Sequence, residues 1–396
     1  MGRLVVHNEK VKDAEAFVKV CPFGAIEVVD NKLSINAACK MCKLCVKKCA
    51  NGEIEYVEEE VKLIDKSLWR GVCVYVEHVE GEIHPVTYEL IGKARELADK
   101  IGHKVYCLMI GSGIKDIANE LLYYPADEIF VYDREELENF RIEPYTAVFE
   151  DFINTIKPTA ILVGATTVGR QLAPRVAARF RTGLTADCTI LDMEENTDLV
   201  QIRPAFGGNI MAQICTPNNR PQLATVRYKV MDSAKRLDKP FGKLNVCDIN
   251  PDKLGSGTKI ISVEKKPKVE SIESAEIIVV AGRGAANAAS IELVKKLADS
   301  LGGTYACTRP LVESGAMPAN RQIGLSGRTV RPKLIITCGV SGAVQFTAGM
   351  KGADTIVAIN TDKNAAIFNV AHYGLVGDLN EIIPSLIAKI ENGVTM

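Results

Sequence analysis

The chain has 396 residues, more than one ordinary hydrophobic core serves, so two or three domains are expected. Its 47% hydrophobic content leaves ample core material, and a formal net charge of −1 argues against nucleic acid or a charged membrane surface as partner. No apolar run approaches the ~20 residues of a membrane span. The start, Met1-Gly-Arg-Leu-Val-Val-His7, has no apolar signal core. Of twelve cysteines, seven (Cys73, Cys107, Cys188, Cys215, Cys247, Cys307, Cys338) are scattered among apolar residues, as free thiols are. The expected compartment is a reducing cytoplasm.

Residues 1–62 read as a small α+β ferredoxin-like domain. Cys39, Cys42, Cys45 and Cys49 stand at C-x2-C-x2-C-x3-C spacing, the bacterial ferredoxin run, in which three close thiolates face one cubane. In two-cluster ferredoxins the fourth cysteine of each run serves the other cluster and precedes proline. Cys21-Pro22 looks like the end of an earlier run, whose companion positions hold Val11, Ala14 and Phe17. One cluster site is therefore filled with apolar side chains. The reading is a single [4Fe-4S] cluster on Cys21, Cys39, Cys42 and Cys45, with Cys49, followed by Ala50, left without one. Structural zinc and unmetallated thiols stay open, although zinc sites usually pair two C-x2-C knuckles. Lys40, Lys43, Lys47 and Lys48, interleaved with the ligands, suit docking of an acidic ferredoxin or form a solvated face. Strand-like segments at Ala25–Val29 and Glu53–Val57 follow the two cysteine stretches, and the acidic run Glu58–Glu60 leads into a linker.

Residues 67–262 alternate apolar strand and helix patterns. Gly71–Val76, Lys104–Ile110, Glu128–Tyr132 and Ala160–Gly164 read as doubly buried parallel strands, with helical periodicity at Tyr88–Ala98 and Ile114–Leu122. That alternation predicts a doubly wound α/β domain. Leu237–Ser271, rich in Lys, Asp, Pro and Gly and containing Gly255-Ser-Gly257 and Lys265-Lys-Pro-Lys268, reads as a hinge or strap.

Residues 263–396 repeat the α/β pattern as a second doubly wound, Rossmann-like domain. The strand ending at Ala281 turns through Gly282-Arg283-Gly284 into a helix, a weak dinucleotide signal without its third glycine. Leu334–Gln345 is a strand running through Ser341-Gly342 into a helix, where Ser341 caps and free N–H groups make an anion site. Thr355–Asn360 is a buried strand ending in a polar side chain. Each could be an ordinary strand-to-helix turn; three in one domain point to a dinucleotide.

Pro332–Met350 followed by Val357–Asn360 resembles the signature of the electron transfer flavoprotein α subunit, with further matches at Gly282–Gly284, Thr308–Pro310, Gln322–Gly327 and Tyr373–Leu379. The resemblance runs from Trp69 to the C-terminus and implies FAD in the last domain. On it, Arg283 pairs with the pyrophosphate, while Ser341, Gly342, Ala343, Val344 and Gln345 line the phosphate and ribityl chain. Thr308 and Arg309 stand over the isoalloxazine, where a cation favours the reduced, anionic ring. Ile323, Gly324, Leu325 and Ser326 run along the flavin edge, with the Ser326 hydroxyl near N5. Asn360, Asp378 and Leu379 hold the adenosine end. Phe346 stands where the family usually has a histidine near the pyrimidine ring.

An α subunit fused to a ferredoxin unit resembles the flavoprotein subunits of electron-bifurcating acyl-CoA dehydrogenase complexes, the caffeyl-CoA reductase kind ahead of the electron-confurcating lactate dehydrogenase kind. The implied partners are a β subunit carrying NADH and a bifurcating FAD, an acyl-CoA dehydrogenase or reductase subunit, and ferredoxin. On this reading the chain transfers electrons and has no chemical active site of its own. A self-sufficient NAD-dependent oxidoreductase would need acid/base groups, and the five histidines (His7, His78, His84, His103, His372) form no constellation. A non-bifurcating carrier feeding a quinone reductase would share nearly every residue named.

Overall fold

The computed structural model describes residues 2–36, 38–49, 51–58, 64–205, 210–264 and 271–392. Ala50, Glu59–Glu60, the expected domain end at 62 and Lys265–Lys268 lie outside them. The chain divides into two compact units, Met1–Ile64 and Asp65–Met396.

In the first unit, strand–helix–strand occurs twice: Gly2–Val6, Ala14–Val18 and Ile26–Val29, then Lys32–Ile35, Leu44–Lys48 and Ile54–Glu58. This is the order of ferredoxin-like folds. The inner strands form a hairpin whose turn residues, Asp30 and Asn31, have φ of 49° and 59°. Asp and Asn tolerate that left-handed conformation, which two-residue hairpin turns favour. The outer strands pair antiparallel, from Gly2 opposite Glu58 to Val6 opposite Ile54. Ile26, Leu33, Cys45 and Ile54 make the core, and Val11, Ala14, Phe17 and Cys49 pack against it. The three residues standing where ligands would be expected thus act as core side chains.

The second unit holds two parallel sheets. The larger has seven strands in spatial order Leu184–Cys188, Gln222–Val226, Ala160–Gly164, Val72–Val76, Val105–Gly111, Glu128–Asp133 and Lys243–Cys247. Val72–Val76, Ala160–Gly164 and Gln222–Val226 are buried at every residue, as strands covered on both faces must be. Helices Val86–Ile101, Ile142–Ile156 and Thr167–Phe180 supply that cover, and separate apolar clusters fill the two sides. An antiparallel ribbon of Ile190–Met193, Leu199–Ala205 and Ile210–Ile214 interrupts the alternation. Among the described residues no helix is long and apolar enough to cross a membrane.

The strap expected at Leu237–Ser271 begins later. Lys243–Cys247 is an edge strand parallel to Glu128–Asp133, and Ile249 and Leu254 are buried beside it. An edge strand keeps one side in water, so its Lys and Asn residues hid it in a polar stretch. Residues 255–264, after the short turn Pro251–Leu254, carry no helix or strand.

The second sheet has five parallel strands in spatial order Thr304–Cys307, Ile277–Ala281, Leu334–Cys338, Thr355–Asn360 and Tyr373–Val376. Numbered along the chain this is 2-1-3-4-5, a doubly wound order whose direction reverses between Ile277–Ala281 and Leu334–Cys338. Helices Ala288–Ser300 and Leu379–Glu391 pack against one face, with a second apolar cluster on the other.

Candidate functional site

Ligands of open α/β sheets bind beyond the carboxyl ends of the strands, at the reversal point. Here Ala281 and Cys338 end the two reversal strands, and each runs straight into a glycine turn. The turns touch backbone to backbone: the Gly284 N–H donates to the Gly339 carbonyl at 2.9 Å, and a Cβ on Gly282 would lie 2.3 Å from that oxygen. Arg283 projects from this contact as an exposed cation.

The other residues implied by the resemblance, apart from Ile323–Ser326, also lie at or after strand ends on this edge. Thr308 follows Cys307; it is buried, and its hydroxyl has no hydrogen-bond partner among the described protein atoms. A buried hydroxyl without a partner is costly, so one facing a polar ligand is explained by that ligand. Arg309 opens the helix Arg309–Glu313 and pairs with Glu313 at 2.7 Å in an exposed bridge that leaves its charge available. Gly342 has φ of 87°, and a Cβ there would lie 2.0 Å from the Ile367 nitrogen, so only glycine fits. Ser341, Ala343, Val344 and Gln345 are exposed beside it.

Ser341 does not cap the helix. The left-handed turn at Gly342 moves the helix start to Ala343, the helix is the single turn Val344–Thr347, and the Ser341 carbonyl instead accepts from the Ile367 N–H at 3.1 Å.

Gly324 has φ of 134°, and the loop around it is tightly tied. The Leu325 N–H donates to the Gln345 carbonyl at 2.8 Å, and the Gln322 amide donates to the Ser326 hydroxyl at 2.8 Å. Ile323 is buried; Ser326 is exposed. Phe346 is buried in the core with Ile323 and Met350, so its ring serves packing. Asn360 donates to the Val340 carbonyl at 2.7 Å and holds the turn after Leu334–Cys338 in place. Asp378 caps the helix Leu379–Glu391, accepting from the Asn380 N–H at 2.8 Å, and Leu379 is a core residue. Gln322 and Gly339 are supporting groups that sequence reading gave no role. Their signal was position, immediately beside residues already singled out.

In the first unit, Cys21, Cys39, Cys42 and Cys45 line one small cavity together with Pro22 and Phe23. Met41 and Lys43 adopt left-handed φ of 51° and 59°, winding the chain between the thiols. Backbone donors point at sulfur, among them Ala25 N–H to Cys21 Sγ and Met41 N–H to Cys39 Sγ, each at 3.4 Å. Burial pushes the Cys45 thiol up, and the neighbouring Cys39 and Cys42 add to it. Among the described residues no three His, Cys, Asp or Glu side chains are grouped as a metal ion would need. Cys49 is not among the residues lining the cavity and packs against the core instead.

Four thiols of the second unit are buried and held protonated, whereas Cys215 is exposed. Burial lifts Cys107, Cys188 and Cys338 to about 12 and Cys307 to about 11.

Comparison with known proteins agrees with this geometry. Residues 72–249 match the electron transfer flavoprotein domain and residues 271–351 the electron transfer flavoprotein FAD-binding domain. The chain is 56% identical to the lactate dehydrogenase (NAD(+),ferredoxin) subunit LctC of Acetobacterium woodii, over 98% of this chain and 93% of the relative. It is 44% identical to the electron transfer flavoprotein subunit alpha of Thermoanaerobacterium thermosaccharolyticum, over 82% of this chain and 98% of the relative. Protein FixB of Clostridium saccharobutylicum is 45% identical over 81% of this chain. The chain belongs to the electron transfer flavoprotein α-subunit family and carries that family's FAD-binding domain.

Proposed function

We propose that the chain is the flavoprotein α subunit of an electron-confurcating lactate dehydrogenase complex, in which electrons from lactate and from reduced ferredoxin converge on NAD. The observation that supports this reading is the 56% identity, over nearly the whole chain, to a relative whose name states lactate, NAD and ferredoxin. It favours lactate over the enoyl-CoA acceptor of a caffeyl-CoA reductase, which the sequence alone put first. The partners are a β subunit with the NAD site and a second FAD, a lactate dehydrogenase subunit, and ferredoxin, all in the cytoplasm.

Bound FAD supplies one- and two-electron chemistry; the protein supplies grip and electrostatics. Arg283 and the turn Ser341–Gln345 would hold the phosphates and ribityl chain. Thr308 would give its unpartnered hydroxyl to the ring, and Arg309 would lend it positive charge. The loop Ile323–Ser326 would run along the flavin edge, while Asn360, Asp378 and Leu379 would hold the adenosine end.

A [4Fe-4S] cluster on Cys21, Cys39, Cys42 and Cys45 accounts for the four thiols sharing one cavity and for the N–H donors aimed at sulfur, which tune such clusters. A single zinc ion would instead draw its sulfurs to about 2.3 Å from one point.

The test is to purify the native complex anaerobically and follow NADH formation. Lactate should reduce NAD only when reduced ferredoxin is present. Activity with an enoyl-CoA and none with lactate would overturn the assignment.

A further inference from the structure

Arg227 immediately follows the strand Gln222–Val226 of the seven-stranded sheet, yet its guanidinium reaches the other half of the second unit. It donates to the carbonyl of Leu325 at 2.8 Å, across 98 positions of sequence. Its side chain is 13% exposed and is anchored from behind by Asp187 at 3.3 Å. Asp187 is itself fixed: its N–H donates to the Thr225 hydroxyl at 2.9 Å, and Arg170 pairs with its carboxylate at 3.1 Å. Arg227 lines two crevices, one shared with Ser326 and the other with Leu325, so it stands where the two meet.

The gripped atom matters more than the grip. A peptide unit is planar and trans, so its carbonyl and the following N–H point in opposite directions. Holding the Leu325 oxygen therefore sets where the Ser326 N–H points. The Leu325 N–H is already held by the Gln345 carbonyl, so the peptide groups on both sides of Leu325 are tied.

A second contact joins the same halves, Arg331 to Asp232 at 2.8 Å, but its partners are 46% and 89% exposed. Such a surface pair contributes little, because solvent screens both charges. A largely enclosed, charge-assisted bond to a carbonyl is the stronger of the two.

We propose that Arg227 is a positioning residue that locks the Leu325–Ser326 peptide, so that the donors bordering the flavin edge are fixed from the neighbouring sheet and the flavin's reduction potential depends on a residue that never touches it. This rests on the reading that Ser326 lies at the flavin edge.

The chain offers a direct probe. Leucine precedes serine at only two places, Leu33–Ser34 and Leu325–Ser326. Labelling leucine carbonyls with carbon-13 and serine nitrogens with nitrogen-15 in the full-length protein therefore gives two linked amide signals, one an internal control. Arg227→Ala should move the Ser326 signal, leave Ser34 in place, retain FAD and lower the equilibrium constant for flavin reduction about fivefold, the worth of one hydrogen bond. Arg227→Lys, which keeps a donor, should restore most of both readouts should the alanine variant fold poorly, and Arg331→Ala should change neither. An unmoved Ser326 signal, or an unmoved potential, in Arg227→Ala overturns the proposal. Ser326→Ala separates the causes: if it shifts the potential while Arg227→Ala does not, only the lock fails. If neither variant shifts it, the placement of Ser326 at the flavin edge fails as well.

Discussion

Cys21 and Cys49 differ in what they face, although both lie beside cysteine-rich sequence. Cys21 shares a cavity with three other thiols, whereas Cys49 packs against the core of Ile26, Leu33, Cys45 and Ile54. Cys21→Ala should remove iron as thoroughly as Cys42→Ala, and Cys49→Ala should retain it, as measured by iron and labile sulfide per chain. The opposite pattern would exclude the ligand set. A second residue-scale prediction concerns Glu89, 4% exposed on the helix Val86–Ile101. Burial lifts its carboxyl to about 7, although the Lys229 and Met231 N–H groups favour its charged form. Between the unfolded value near 4.5 and the folded value near 7, the folded chain holds a proton that the unfolded chain has lost. Stability should therefore be fullest below that window and fall as pH rises through it, by at most about 3 kcal/mol. Glu89→Gln should flatten this part of the melting-temperature profile; a profile as steep as the wild type's would refute the origin.

At the scale of elements, four strands of the larger sheet were legible because a strand covered on both faces must be apolar without interruption, as at Val72–Val76 and Ala160–Gly164, while the equally buried Gln222–Val226 went unnamed. Lys243–Cys247 was not, since an edge strand needs no such run. The turn at Gly342 was only half legible. Its sequence marked a backbone approach, but the partner, Ile367, lies 25 residues on and carries no local signal. Gly342→Ala should abolish or greatly weaken FAD retention while leaving the first unit's iron unchanged, because both the φ of 87° and the contact with Ile367 exclude a side chain. Full flavin content in that variant would remove this turn from the phosphate site. Arg227 was invisible to sequence reading for the same reason: a charged residue at a strand end is common, and its meaning comes from Leu325, in a loop of the other half of the unit.

For the whole molecule, each unit has its own core, so removal of residues 1–64 should leave flavin content intact and specifically impair electron exchange with ferredoxin. Stopped-flow reduction of the flavin by reduced ferredoxin checks this, and an undiminished rate would make the first unit a structural appendage. Lys40, Lys47 and Lys48 are exposed, while Lys43 lies 3.4 Å over the Tyr56 ring, so the exposed three are the ones whose attraction to an acidic protein should weaken with salt. The pairing of Gly2 with Glu58 carries a further consequence. Neighbouring strands lie about 5 Å apart, so Gly2 and Glu58 lie almost at one point. A short bridge from 58 to 2, with the covalent break moved to the solvent-facing Asp30–Asn31 turn, would give a circular permutant that keeps all four cavity thiols and both helices. Such a permutant should still take up iron, which would mark the unit as a self-closing cassette, transplantable without its host.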